Sequence, residues 1–304
     1  MPILLAPFAD SLWAGIPENA TPGSQLSQPA GLEALLEYNG IIIHDRSVYD
    51  KYRLKAIDGL HGGVGIRVNE DTNPGDHGSF PLMNMLDARS IIIEGVINTG
   101  NLSKMRDLQQ ALRTAFFSMV ERPLIIRTGN TARDVYVMAR ISDKIGMREE
   151  QTKIDRFTRD FQISMRATDP RIYSINSRTY TNATVADGDS LITLIHAGNF
   201  QASPTIKLDG PMTNPIVKNT TYMPDENYQR FIKINGSIPS GATYTYDSKN
   251  GTLVNQLGVR KDSQLDVTST QLRLTNGENI LQLTTTGTSL GVSAFTVTLQ
   301  DTWI

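Results

Sequence analysis

Apolar and polar positions alternate along two long runs near the middle of the chain. In Asp134–Asp143, Val135, Val137, Ala139 and Ile141 lie on one face and Tyr136, Met138, Arg140 and Ser142 on the other. In Ile154–Ala167, Phe157, Arg159, Phe161, Ile163 and Met165 oppose Thr158, Asp160, Gln162, Ser164 and Arg166. A period of two predicts strands, here an antiparallel pair with one polar face each. Their connection carries Gly146 and the charged tip Arg148-Glu149-Glu150. Thr168-Asp169-Pro170 closes the second strand, since proline cannot donate to a ladder.

Just upstream the period changes. Ser90–Thr128 reads as a strand, a tight turn, a helix, a proline stop and a short strand. Met105, Leu108, Leu112, Phe116 (with Ala115 beside it) and Met119 trace one stripe, which predicts a helix over 103–121 lying on a sheet. Ser103 is the expected N-cap, and Pro123 disfavours helical geometry at Arg122. Arg106, Gln109, Gln110 and Arg113 fall outside the stripe and form a candidate surface toward a neighbouring subunit or a lumen.

Before this module, residues 1–37 read as an N-terminal arm, with Ala30–Tyr38 forming a short helix or staying extended. Asn39-Gly40 turns into a strand at Ile41–His44. Arg53–Ile57 and Val64–Val68 are expected to pair through Asp58-Gly59 and Gly62-Gly63. Residues 69–87 lack a period and are rich in turn formers. A loop that long is usually functional or mobile, so it is either an arm reaching a neighbouring subunit or a plain surface loop. After about Ser174 the chain changes character. Short strands are expected at 190–196, 204–208, 216–218, 228–234, 242–246, 252–254, 271–274, 280–285 and 294–301. Asp209-Gly210-Pro211, Asn235-Gly236, Asn250-Gly251 and Asn276-Gly277 punctuate them, a pattern that predicts a β-sandwich.

Composition narrows the function classes. The chain has 304 residues, enough for two cores. With no cysteine, disulfides, thiolate metal sites and thiol catalysis drop out. The first 13 residues lack a basic leader, and Pro2 and Pro7 interrupt their apolar run; no run reaches the ~18 apolar residues of a span. The expectation is a soluble chain without membrane insertion. Net charge is −2, unevenly placed. Residues 1–102 hold 6 Lys+Arg and 12 Asp+Glu, whereas 103–171 hold 14 and 9. Opposite charge on successive segments suits contacts between copies of one chain, or is ordinary surface variation. It is no footprint of a dedicated nucleic-acid binder.

The search for chemistry is negative. His44, His61, His77 and His196 are scattered, and no HExxH occurs. Asp71, Asn73 and Asp76 resemble part of a calcium loop but lack its closing glutamate. Gly62-Gly63-Val64-Gly65 is not followed by Lys-Ser/Thr, so it is no phosphate cradle. Glu149 and Glu150 fit a solvated hairpin tip better than a shielded acid–base pair. No catalytic residue, metal or cofactor is assigned. Tyr244 and Tyr246 share one strand face; they are either a stacking pair for a sugar or core residues.

As a whole, the pattern resembles the distal tail (Dit) proteins of siphophages. The resemblance runs over about residues 38–304: the Asp58-Gly59 region, Arg89-Ser90-Ile91-Ile92-Ile93-Glu94-Gly95 (similar to the family's Arg-x-Ile-x-Leu-x-Gly strand), the helix, and FQISMRATDP. It continues through GNFQASPTIKLDG, Phe231–Asn235, Lys249-Asn250-Gly251, Leu274–Ile280 and Thr302-Trp303. The arm and the 69–87 loop have no match. The resemblance implies a mainly β chain: a barrel or split barrel with one helix over 38–173, then a galectin-like or carbohydrate-module-like β-sandwich over 174–304. It implies a non-enzymatic virion protein, made in the host cytoplasm and placed at the tail tip as a homo-hexameric ring. Tail tube protein and tail-tip or tail-associated protein would adjoin the ring; tape-measure protein and then DNA would pass through its lumen. A receptor-binding protein or host glycan would meet the sandwich, and the alternative function is a carbohydrate-binding adhesin acting through it.

Overall fold

The computed structural model describes residues 35–43, 51–60, 64–72, 77, 79–81, 84–99, 101–127, 133–148, 158–183, 185, 188–221, 230–286 and 293–304. They are mainly strand, with a single α-helix among them. They divide into a unit ending at Ile175 and another running from Asn176 to Trp303.

In the first unit, β1 (Leu35–Tyr38) and β2 (Ile41–Ile43) form a hairpin around Asn39-Gly40, whose φ angles of 47° and 82° fit a primed turn. Leu35–Tyr38 is therefore strand and not helix; Leu36 and Tyr38 alternate into the core, a period of two. β3 (Tyr52–Asp58) leads to a ribbon made of β4 (Ile66–Arg67), β5 (Glu70–Thr72), β6 (Ser79–Pro81) and β7 (Met85–Leu86). The expected pairing of Arg53–Ile57 with Val64–Val68 does not form. β3 pairs instead with β8 (Arg89–Asn98), while β4 pairs with β7 and β5 with β6. Ile91, Ile93 and Ile97 offer β3 a buried apolar face, which the exposed Ile66 and Val68 do not.

α1 (Leu102–Phe116) follows. Its N-cap is Asn101, whose side chain accepts from the Ser103 N–H at 2.8 Å, so the cap lies two residues before the one expected. The helix also stops before Glu121: Phe117 has ψ 75° and its N–H closes on Arg113 O. Leaving the helix there lets the chain reach β9 (Arg122–Arg127). Met105, Leu112, Ala115 and Phe116 are buried as the stripe predicts, but Met119 lies outside it at 73% exposure.

β10 (Val135–Ile141), β11 (Gly146–Arg148) and β12 (Thr158–Ala167) complete the order β2-β1-β9-β10-β12-β8-β3. The outer strands β2 and β3 approach each other, and α1 packs on β8 and β2. The sheet thus curls into a split barrel with the helix across it. Two polar ties fix the helix: Tyr52 Oη donates to Leu108 O at 2.7 Å and Asn39 Nδ2 to Ala115 O at 3.0 Å. Tyr38 stacks on Phe116, ring centroids 4.7 Å apart.

The Arg89–Gly95 strand has internal reasons for its sequence. Arg89 is 2% exposed and donates to Pro170 O, Gly59 O and Leu60 O, each at 2.8 Å. One guanidinium thus ties the Asp58-Gly59 turn to the Asp-Pro after β12. A Cβ on Gly59 would stand 1.9 Å from Ser90 O, and one on Gly95 2.3 Å from the Phe161 ring and 2.6 Å from Arg53 O. Gly95 lies where β3 shifts register between Leu54 and Ala56. A β-bulge presses the β3 backbone onto it, so only glycine fits. Asp169 accepts from Arg171 Nε at 2.7 Å and Tyr173 Oη at 2.6 Å.

β13 (Ile172–Asn182), absent from the expected strands because its second half is largely polar, begins in the first unit beside β10 and continues into the second. The second unit adds β14 (Gly188–His196), β15 (Thr205–Asp209), β16 (Met212–Thr213), β17 (Ile216–Asn219) and β18 (Phe231–Lys233). Next come β19 (Ser237–Ile238), β20 (Thr243–Asp247), β21 (Thr252–Asn255), β22 (Gly277–Thr285) and β23 (Ala294–Trp303). Two antiparallel layers, β13-β23-β15-β20-β21 and β14-β22-β17-β18, enclose one core that includes Leu194, Ile206, Val217, Leu253, Leu283, Phe295 and Val297. This is a β-sandwich. Gln271–Leu274 contributes only a bridge from Leu274 to Ala202.

Candidate assembly surfaces

The helix presents Arg106, Gln110 and Arg113 to solvent, with Gln109 half-buried beside them. Lys104 and Asp107 are exposed on the same helix. The first-turn and last-turn positions of α1 carry no acidic residue and one basic residue, Arg113, respectively. This surface is basic, ordered by its backbone and open.

Immediately after the helix, Phe117, Met119 and Val120 are 69%, 73% and 69% exposed. Their chain segment was expected to continue the helix with Met119 in its core stripe; the helix ends at Phe116, and Met119 is exposed together with Phe117 and Val120. On the β4–β7 ribbon, Ile66 and Val68 are 62% and 61% exposed, and Met85, which opposes Arg67 on the other face, is 52% exposed. The ribbon is a real ladder. Asp87 N donates to Gly65 O at 2.7 Å, Ile66 faces Leu86, and Asn69 N donates to Asn84 Oδ1 at 3.3 Å before β5 and β6 pair. Glu70 and Asp71 stand exposed on it.

Tyr244 and Tyr246 are 7% and 3% exposed, with their rings in the sandwich core. As a pair on one strand face they do not form an open platform for a sugar; inward alternation on β20 puts both into the core. Burial raises the Tyr246 hydroxyl above the ordinary tyrosine range. Gly62 and Gly63, Asn73 and Asp76 of the partial calcium loop, and Glu149 and Glu150 lie outside the described residues. Among the described residues no group of three metal-ligating side chains comes together, and no helix is long and apolar enough to cross a membrane.

Sequence spacing gave no signal for the cluster around His196. Its Nδ1 lies 3.0 Å from Asp301 Oδ1 and its Nε2 2.6 Å from Phe200 O. Asp301 also accepts from the Ala197 N–H at 2.9 Å and pairs with Arg178. Burial pushes the Asp301 carboxyl up, but the His196 and Ala197 hydrogen bonds and the Arg178 charge outweigh it and hold it below the usual carboxylate range. His196 is fully buried. The cluster fastens β23 to the end of β14. In the first unit, a surface cleft of about 410 Å³ is lined by Lys55, Glu94, Gly95, Met147, Asp160 and Phe161. Lys55 and Asp160 pair across it at 2.6 Å and are both about half-exposed, an ordinary surface ion pair.

No protein-family model matches the sequence, and no curated protein matches it. Among solved structures, the Dit protein of phage SPP1, described as a paradigm of hub adsorption apparatus in phages infecting Gram-positive bacteria, is similar. The TM-score is 0.65 at 13% identity, over 89% of this chain and 99% of that one. This chain has the fold of a distal tail hub protein. Two structures of the phage P2 baseplate in its activated conformation are also similar, each with TM-score 0.44 and 10% identity, over 87% of this chain and 97% of that one.

Proposed function

We propose that this chain is a structural virion protein, a hub at the tail tip. It assembles as a homo-hexameric ring that joins the tail tube to the adhesion apparatus. The observation that carries this reading is the extent of the likeness to the SPP1 Dit protein. A β-sandwich alone hosts many unrelated functions; a helix-bearing split barrel followed by a sandwich, matched over 99% of a hub protein, is far more specific. The ring places tail tube protein on one side and tail-tip or tail-associated protein on the other. Tape-measure protein and then DNA cross its lumen without sequence-specific contacts, and the sandwich offers its outer surface to a receptor-binding protein or a host glycan. Arg106, Gln109, Gln110 and Arg113 face either that lumen or the neighbouring copy. The protein is made in the host cytoplasm and ends in the virion; its role is assembly, not catalysis.

Native mass spectrometry of the full chain, alone and with tail tube protein, together with antibody labelling of particles, tests this reading. The expected results are a closed oligomer and label at the tail tip. A chain that stays monomeric in every mixture, with no label at the tip, would overturn it.

A further inference from the structure

We infer that the β4–β7 ribbon of one copy packs on the C-terminal end of α1 in the next copy, a heterologous contact between two different surfaces. This rests on the ring reading and assigns its interface. Three observations lead to it. First, each surface carries large exposed apolar side chains: Ile66 and Val68 on one face of the ribbon, and Phe117, Met119 and Val120 after the helix. Clusters of this kind on a folded unit mark interaction sites. Second, a narrow two-stranded ribbon has no core beneath it, so its order depends on something it lies against. Antiparallel pairing sets Ile66 on the same side as Leu86, and extended backbone returns Val68 to that side. Ile66, Val68 and Leu86 thus share one face, opposite Arg67 and Met85.

Third, the charges select the partner. The ribbon exposes Glu70, Asp71 and Asp87 against one cation, Arg67, and the helix exposes Lys104, Arg106 and Arg113 against one anion, Asp107, so their net charges are opposite. Ribbon against ribbon would bring acidic residues together, and helix end against helix end would bring basic ones together. Ribbon against helix end brings opposite net charges together. A contact between two different surfaces of one chain leaves a free ribbon on one end of any pair and a free helix end on the other. It therefore propagates, and where the rotation closes it makes a ring. A self-complementary contact would stop at a dimer.

The test uses two full-length variants, Ile66→Ser/Val68→Ser for the ribbon and Met119→Ser/Val120→Ser for the helix end. All four side chains are exposed, so both variants should keep the wild-type far-ultraviolet spectrum and melting temperature. Native mass spectrometry should show each variant alone as a monomer, its self-association weakened on the order of a hundredfold. Mixed one to one, they should give heterodimers and nothing larger. One intact ribbon meets one intact helix end, and the remaining surfaces are both broken. A charge exchange supplies an independent arm: Glu70→Lys/Asp71→Lys should weaken assembly, and Arg106→Glu/Arg113→Glu in the same chain should restore it. If wild type and both variants form the same ring, the interface assignment fails and the ring reading stands. If wild type stays monomeric in every mixture and is absent from the tail tip, both fail. If wild type is monomeric but joins particles through the ribbon, the occupant is another tail protein and the assignment is overturned.

Discussion

Replacing Arg89 with methionine removes one side chain from three places at once. The guanidinium donates to Pro170 O, Gly59 O and Leu60 O at 2.8 Å, at a site 2% exposed. Methionine keeps most of the volume but donates to none of them. Each buried carbonyl left without its donor costs about 1–3 kcal/mol. Against that stands the desolvation of the charge, which lowers the Arg89 pKa from its ordinary value and which methionine does not suffer. The net loss should be roughly 3 kcal/mol, the low end of the sum, because part of the carbonyl cost is returned by relief of the buried charge. Arg89→Lys keeps the charge but not the fork, and a point donor reaches fewer of the three acceptors, so its loss should be about half as large. Hydrogen exchange read by mass spectrometry separates this from a global effect. Peptides of β3, β8 and β12 should exchange about a hundredfold faster in Arg89→Met, since every ~1.4 kcal/mol is tenfold; peptides of β14 and β22 are the internal reference. A change under about 1 kcal/mol in Arg89→Met, or equal losses in the methionine and lysine variants, would show that the fork to three carbonyls does not hold the turn.

Further expectations are smaller in scope. Gly95→Ala places a Cβ 2.6 Å from Arg53 O, a backbone wall that cannot rotate away, and should cost about 2 kcal/mol or more in urea denaturation; an unchanged midpoint refutes the bulge argument. Asn101→Ala removes the cap to Ser103 N and should cost about 1 kcal/mol, whereas Ser103→Ala should cost little; the reverse order would return the cap to Ser103. Asp301→Asn removes the charge between His196 and Arg178 and should lower the melting temperature of the second unit by a loss of roughly 2 kcal/mol. The folded Asp301 carboxyl titrates below its unfolded value. Its contribution is therefore fully present at neutral pH and fades as pH falls below about 4 toward the folded value. Wild type should lose stability through that window more steeply than Asp301→Asn, as followed by fluorescence of the buried Trp303; parallel slopes would show that Asp301 is not the group responsible.

The elements legible in the sequence are those where one face is buried. Val135, Val137 and Ala139 alternate against the core and so did their sequence pattern; Met105, Leu112 and Phe116 sit on one helical stripe and were read from it. The errors fall where burial stops giving a signal. Met119 continues the helical spacing but the backbone has already turned at Phe117. Ile66 and Val68 are apolar without being buried, so their alternation suggested a partner in β3 when the isoleucines of β8 supply the better one. Residues 70–72 and 79–81 pair without any hydrophobic period, because a ribbon laid away from the core needs only backbone hydrogen bonds. The His196–Asp301 contact spans 105 positions, and no local pattern records such a separation.

The strand that carries the family resemblance is a marker of fold for a physical reason. Arg89 satisfies three internal carbonyls, Gly95 yields to a bulge, and Asp169 gathers Arg171 and Tyr173. None of these groups points at a ligand. They constrain how the chain closes on itself. The same logic separates fold from function here. A side chain needed internally is buried and paired, while one that serves assembly is left exposed at a cost in solubility. Ile66, Val68, Phe117, Met119 and Val120 are exposed, and the ring-interface proposal puts them in that second kind. Substitutions among them should therefore leave folding intact and change assembly, whereas substitutions at Arg89 or Gly95 should change folding first and assembly only as a consequence.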